Sequence, residues 1–153
     1  MKARILLVVA AVTFVAVACG SPTMPSKPPS AAGAWSGTSV DSQGTTLVTW
    51  TITQTGTQVS GTVQTRAPGI DDGSCNFCHR NKSGVFAGTI SGDVLTMNLQ
   101  FAAGVDGDPT PICSATMTGS AAGVAAGQLS GTYTGSDSCE GAFLNGTIAM
   151  TRK

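Results

Sequence analysis

Charge is scarce in this chain: Asp, Glu, Lys and Arg make up 10% of 153 residues, and aromatic residues only 5%. Glutamate occurs once, at Glu140, and histidine once, at His79. A coiled coil or helical bundle, which draws on Lys, Glu and Leu, is therefore excluded. Eight basic groups balance eight acidic ones, so no basic field exists to hold nucleic acid. No Gly-x-Ser-x-Gly elbow, Walker loop or His-Glu-x-x-His occurs, and one histidine leaves almost nothing for acid–base catalysis. The chain reads as non-enzymatic. Disorder is excluded by what is present, since 41% of residues are apolar and Thr and Val are abundant.

Residues 1–18 stand apart from the rest. Lys2 and Arg4 precede an almost unbroken apolar run from Ile5 to Val17, too short for a comfortable membrane span. Ala16-Val17-Ala18 supplies the small residues that signal cleavage requires, and Cys19 follows directly. Ala16-Val17-Ala18-Cys19 resembles the bacterial lipobox, although leucine is usual at the place of Ala16. That resemblance implies a Cys19 that is diacylated and becomes the new N-terminus. Removing Cys19 from five cysteines leaves Cys75, Cys78, Cys113 and Cys139, an even set suited to an oxidising compartment. Residues 19–32 then form a tether containing Pro22, Pro25, Pro28 and Pro29. Gly20 after the cysteine is similar to the outer-membrane sorting pattern of Gram-negative lipoproteins. The expected location is the cell envelope, with the protein anchored to the outer membrane and facing the periplasm or the surface. Loss of Lys2 and Arg4 leaves six basic against eight acidic groups, so the mature chain is near −2.

Residues 33–153 carry a recurring pattern of apolar residue, any residue, Gly, Thr. It occurs at Trp35–Thr38, Val59–Thr62, Phe86–Thr89, Leu129–Thr132 and Leu144–Thr147. Its period is two, placing the apolar residue and Gly on one face and Thr on the other. Val48, Trp50 and Ile52 alternate with Thr49, Thr51 and Thr53; Leu95, Met97, Leu99 and Phe101 alternate with Thr96, Asn98 and Gln100. These runs predict an all-β domain of eight strands, at 34–40, 45–54, 58–66, 84–91, 94–102, 113–119, 128–135 and 142–151. Short Gly-containing turns at Ser42–Gly44, Thr55–Thr57 and Ser91–Asp93 make it a meander. Interior glycines permit the curvature needed to close an eight-stranded up-and-down antiparallel barrel. The alternative is a β-sandwich.

Gly33-Ala34-Trp35 at the start of the first strand resembles the Gly-x-Trp of lipocalins and avidins, both eight-stranded meander barrels. The resemblance implies a calycin-like fold in which Arg152, after the last strand, covers Trp35 at the closed end. Gly131-Thr132-Tyr133 is similar to an avidin strand. The tryptophan ring of avidins is missing, because Trp35 and Trp50 are the only two. No ligand is carried over from those families.

A meander sorts its loops between two ends. Loops after strands one, three, five and seven share one rim, which collects seven of the eight acidic residues. Asp41, Asp71, Asp72, Asp106, Asp108, Asp137 and Glu140 belong there, with Cys75, Cys78, His79, Cys113 and Cys139. The opposite rim receives the tether and Asp93, so the crowded rim points away from the membrane. Asp71, Asp72, His79, Asp106, Asp108 and Glu140 are the candidate contacts for a ligand or partner.

Cys75-Asn76-Phe77-Cys78-His79 has the spacing of c-type haem attachment, yet it stands in a Gly/Asp-rich loop with Asp71, Asp72, Arg80 and Lys82 nearby. Disulfides are the favoured use of these cysteines, with Cys75 and Cys78 each joined to Cys113 or Cys139 across loops. Asp106-Gly107-Asp108 with Asp71 and Asp72 offers oxygens for Ca²⁺ but lacks EF-hand spacing. No cofactor is therefore expected, with haem and Ca²⁺ as the alternatives. Three functions remain open. The first is a binding module for a small apolar ligand or a protein at the rim. The second is a lysozyme or protease inhibitor, a role filled by several similar small disulfide-bonded bacterial barrels. The third is a haem or metal protein using Cys75, Cys78 and His79.

Overall fold

A computed structural model describes residues 27, 29–69, 82–103 and 113–153. Eight strands follow one another: β1 (Gly33–Asp41), β2 (Gly44–Thr55), β3 (Gln58–Arg66), β4 (Ser83–Ser91), β5 (Val94–Phe101), β6 (Ala115–Ala122), β7 (Gln128–Asp137) and β8 (Gly141–Arg152). Each pairs antiparallel with the next, and β8 returns to β1, giving a closed barrel rather than a sandwich. Closure leaves no unpaired sheet edge. β6 begins two residues later than its pattern suggests and runs on to Ala122, because Cys113 and Ser114 belong to the loop-end connection.

Alternation fixes which residues fill the bore. Val48, Trp50 and Ile52 of β2, and Leu95, Met97, Leu99 and Phe101 of β5, are all buried, while the threonines between them are exposed. Trp50 packs on Phe86 with ring centroids 5.0 Å apart, and Tyr133 meets Phe143 edge-on at 6.1 Å. The glycines of the repeat lie on the same inward face. Gly61 pairs with Phe86, and across the other wall Met97 lies between Gly88 and Gly119. Tyr133 likewise lies between Gly119 and Gly146. Phe86, Met97 and Tyr133 thus project into space that a neighbouring glycine leaves free, the small/large complementarity a narrow barrel requires. The repeat also marks close strand approach: a Cβ on Gly61 would run into the Thr51 carbonyl.

The fifth repeat behaves differently. Leu144, expected to face inward like its counterparts, is 56% exposed. The register of β7 against β8 shifts between Tyr133 and Gly135, and Asn145 takes the left-handed conformation at φ 57°. One extra residue in β8 therefore turns Leu144 outward and leaves Phe143 and Gly146 facing the core.

One end of the barrel is closed by the chain itself. The indole N–H of Trp35 donates to the Ala31 carbonyl at 2.8 Å, and the Ala31 N–H donates to Gln54 Oε1 at 2.7 Å. Arg152 lies over the Trp35 ring, with Cζ 4.7 Å from its centroid. Its Nη2 donates to the carbonyls of Ser30 and Val124. Val124 sits in the turn between β6 and β7, which Asp93 holds through the N–H groups of Gly123 and Ala125. Ala31 and Val124 are fully buried, so the packed domain takes in residues just upstream of Gly33.

The other end carries a disulfide, and here the expected pairing needs correction. Cys113 is joined to Cys139, with Cα atoms 5.5 Å apart, and neither is joined to Cys75 or Cys78. The reason is register. Ala115 pairs with Asp137, and the ladder continues outward as Ser138 N–H donates to Ser114 O and Ser114 N–H to Ser138 Oγ. Cys113 and Cys139 therefore face each other one step further out. The bond still joins two loops. Cys75 and Cys78 lie outside the described residues.

Three stability measurements test these contacts. Gly61→Ala should lower the denaturation free energy by about 1–3 kcal/mol, because the new methyl meets backbone that cannot retreat. Arg152→Ala should lose about 1–2 kcal/mol in the same urea titration, and lysine should restore only part of it, being unable to cover an indole and reach two carbonyls. Mass mapping without reductant should recover Cys113 and Cys139 in one linked fragment, and removing both should destabilise by about 2–4 kcal/mol. A fragment linking either to Cys75 or Cys78 would contradict the pairing.

Candidate functional site

The inward face changes character along the barrel. Near the Trp35 end it is apolar: Ile52, Val59, Ile90, Leu95, Leu129 and Met150 are all buried. Toward the loop-rich end the same alternation places Ser39, Thr46, Thr65, Lys82 and Asp137 inside, each at most 5% exposed. These positions continue the inward rows Trp35-Gly37-Ser39-Asp41, Trp50-Val48-Thr46, Val63-Thr65 and Tyr133-Gly135-Asp137. Polar residues at buried positions cost free energy unless they find partners.

Some of them do. Reciprocal backbone bonds between Thr65 and Lys82 extend the β3–β4 ladder by one pair, and the Thr65 hydroxyl also donates to Lys82 O and accepts from Lys82 N–H, both at 3.1 Å. Lys82 Nζ reaches across to donate to the Cys113 carbonyl beside the disulfide. Tyr133 donates its phenolic hydrogen to Asp41 Oδ2 at 2.5 Å, and Asp41 Oδ1 accepts from Gln43 N–H at 2.8 Å in the β1–β2 turn. Burial first, and then the Asp41 carboxylate, push the Tyr133 phenol well above its usual range; the Ser39 hydroxyl opposes this. The phenol is therefore a fixed neutral donor at physiological pH. Asp137 Oδ1 accepts the N–H groups of Cys139 and Glu140 at 2.8 and 2.6 Å, shaping the turn into β8.

Other atoms are left over. Ser39 Oγ, Thr46 Oγ1, Trp50 Nε1 and Asp137 Oδ2 are buried without a hydrogen-bond partner among the described residues. Ser39 Oγ faces the Tyr133 phenol without hydrogen-bond geometry. Ser39 and Thr46 are directly opposite each other across β1 and β2. An unpaired buried donor or acceptor costs about 1–3 kcal/mol, so several in one barrel call for a partner. Outside the barrel, the bulge at Asn145 borders an open groove lined by the exposed residues Thr118, Ser120, Thr132, Thr134 and Thr147. Its hydroxyls already face water, so it makes no comparable demand.

The candidate residues read from the sequence divide accordingly. Asp71, Asp72, Cys75, Cys78, His79, Asp106 and Asp108 lie outside the described residues. Glu140 is exposed on the turn after β7, and Asp41 and Asp137 stand at the same end of the barrel. Among the described residues no group of three or more His, Cys, Asp or Glu is placed to hold a metal. Sequence reasoning overlooked Ser39, Thr46, Thr65, Lys82 and the phenol of Tyr133. Their signal was available: extending each inward row to the end of its strand reaches them.

Five side chains that decide whether the middle of the barrel is open, Trp50, Phe86, Met97, Met117 and Tyr133, all point inward and are at most 4% exposed. They fill the centre of the barrel.

Neither a known protein-family profile nor a curated protein sequence matches this chain. Among solved structures it is similar to one described as "Structure of EF1p2_mFAP2b bound to DFHBI", with a TM-score of 0.55 and 16% identity. The match covers 80% of this chain and 93% of that one. At that identity the likeness speaks for the fold, and it agrees with a closed eight-stranded barrel.

Proposed function

We propose that this chain is a non-enzymatic binding module that takes a small molecule at the loop-rich end of its barrel. The observation that carries the reading is the contrast between the two ends. The Trp35 end is closed by Arg152, Ala31 and Val124, with the Trp35 indole N–H and Arg152 Nη2 on backbone carbonyls, and Arg152 Nε and Trp50 Nε1 are its buried atoms without a partner among the described residues. The loop-rich end buries the hydroxyls of Ser39 and Thr46 and a carboxylate oxygen of Asp137 that have no partner among the described residues. Binding barrels use few polar groups, fixed in an apolar frame, to orient a ligand. The solved barrel it resembles is described as bound to DFHBI, which fits this use of the fold. With the centre filled by aromatic and methionine side chains, the reading favours a ligand with polar groups over a purely apolar one.

The lipid anchor belongs to the same proposal. Cys19 as the acylated residue and 19–32 as tether would hang the domain from an envelope membrane by its sealed end, leaving the binding end free. Among the described residues no helix is long and apolar enough to cross a membrane.

Native mass spectrometry of the mature protein, purified from its own envelope, should show a species carrying a small molecule beyond any acyl chains. Ser39→Ala combined with Thr46→Val should lose that species while keeping the strand spectrum. Protein mass alone in both samples would remove the reading.

A further inference from the structure

The outer wall of the barrel carries almost no charge. Asp41, Arg66, Asp137 and Arg152 are the charged residues of the strands, and each is the last residue of its strand. Between the two rims the outward positions hold Thr, Ser, Asn, Gln and a few apolar residues. On part of the wall the hydroxyls are paired with one another. Thr89 Oγ1 meets Thr96 Oγ1 at 2.6 Å across β4 and β5, and Thr53 Oγ1 meets Ser60 Oγ at 3.2 Å across β2 and β3. Between β6 and β7 the register likewise sets Thr118 opposite Thr134 and Ser120 opposite Thr132. These four side chains, and that of Asn145 on β8, have no hydrogen bond among the described residues.

The free groups share one space. With Gly119, Gly146 and Thr147 they line an open groove of about 590 Å³. The remaining lining residue, Tyr133, turns its phenol inward to Asp41, so no ionised group faces the groove. The bulge lies at its edge: Leu144 and Asn145 of β8 stand opposite Thr134 alone, and a bulge bends the strand that carries it. Facing water, the hydroxyls require no partner, and they are free to take one. Each threonine sets a methyl beside its hydroxyl, so the lining offers small apolar contacts next to groups that both donate and accept. A sugar ring has the same make-up, with C–H faces edged by hydroxyls. An ion would find no counter-charge here and would lose hydration without a partner.

We propose that the groove across β6, β7 and β8 is a second binding site, on the outer wall, for a segment of neutral oligosaccharide. The hydroxyls of Thr118, Ser120, Thr132 and Thr134 and the Asn145 amide exchange their water for sugar hydroxyls, and the threonine methyls pack on the ring C–H groups. The site is separate from the loop-rich end and stands or falls apart from the reading above.

Amide chemical shifts of the mature protein, titrated with maltotetraose, cellotetraose and tetra-N-acetylchitotetraose to about 10 mM, test it. At least one sugar should give saturable shifts centred on Gly119, Thr132 and Gly146. Tetragalacturonate, of equal length but charged, should bind about threefold more weakly than that sugar or worse. Thr118→Val with Thr132→Val removes two hydroxyls and keeps β-branched strand residues, so the variant should fold and lose about fivefold or more in affinity. Thr53→Val with Thr89→Val removes two hydroxyls already paired elsewhere on the wall and should leave the titration unchanged. No saturable shift with any of the three neutral sugars would overturn the proposal. So would shifts centred away from the groove, equal or tighter binding of tetragalacturonate, or two double variants that bind alike.

Discussion

Space inside a closed eight-stranded barrel is the constraint on which the rest of this structure depends. Eight strands leave a bore that side chains can just fill, and every second residue of every strand points into it. Large residues on neighbouring strands cannot all occupy the same height. The chain answers with glycine beside several bulky inward residues: Gly61 beside Phe86, Gly88 and Gly119 beside Met97, Gly146 beside Tyr133. The same glycines bring strand backbones so close that a methyl would collide, as at Gly37 and Gly61. The sequence repeat is thus a packing rule written in residues. Threonine follows each glycine because the outer face needs β-branched residues tolerant of water.

From that rule the two ends diverge. At one end Trp35 is buried, and the chain folds Ala31 and Arg152 over it. Charge is used there as a lid: the Arg152 guanidinium lies on an indole face with Nη2 on two carbonyls. At the other end the inward positions hold polar residues, and strand pairing rather than apolar packing holds the wall together. Thr65 continues the β3–β4 ladder to Lys82, and the Cys113–Cys139 bond clamps β6 to β7 just beyond its last backbone pairs. A barrel built this way has a continuous wall around an interior in which several buried polar atoms lack a partner among the described residues.

Much of this was legible in residue order. Period-two alternation fixed the inward face of nearly every strand, and the spacing of turns fixed the meander. The loop-end acids Asp41, Asp137 and Glu140 were sorted to one rim by topology alone. Two local features were not legible. Leu144 belongs to the repeat by type but faces solvent, because a bulge at Asn145 adds one residue to β8. The disulfide also escaped, since four cysteines allow three pairings and loop membership does not rank them. Register does: Cys113 and Cys139 extend a ladder that already joins Ala115 to Asp137.

The sequence by itself determined the class of fold, the faces of its strands and the sorting of loops between two ends, because these follow from short-range periodicity and chain direction. Tertiary structure alone decided which polar residues are buried without partners among the described residues. Ser39, Thr46 and Trp50 belong to the first hairpin and Asp137 to β7, and each reads as an ordinary strand residue. Whether a buried atom is paired depends on closure, register and the reach of side chains from strands that meet only when β8 returns to β1. That is a three-dimensional property, and no period in the sequence encodes it.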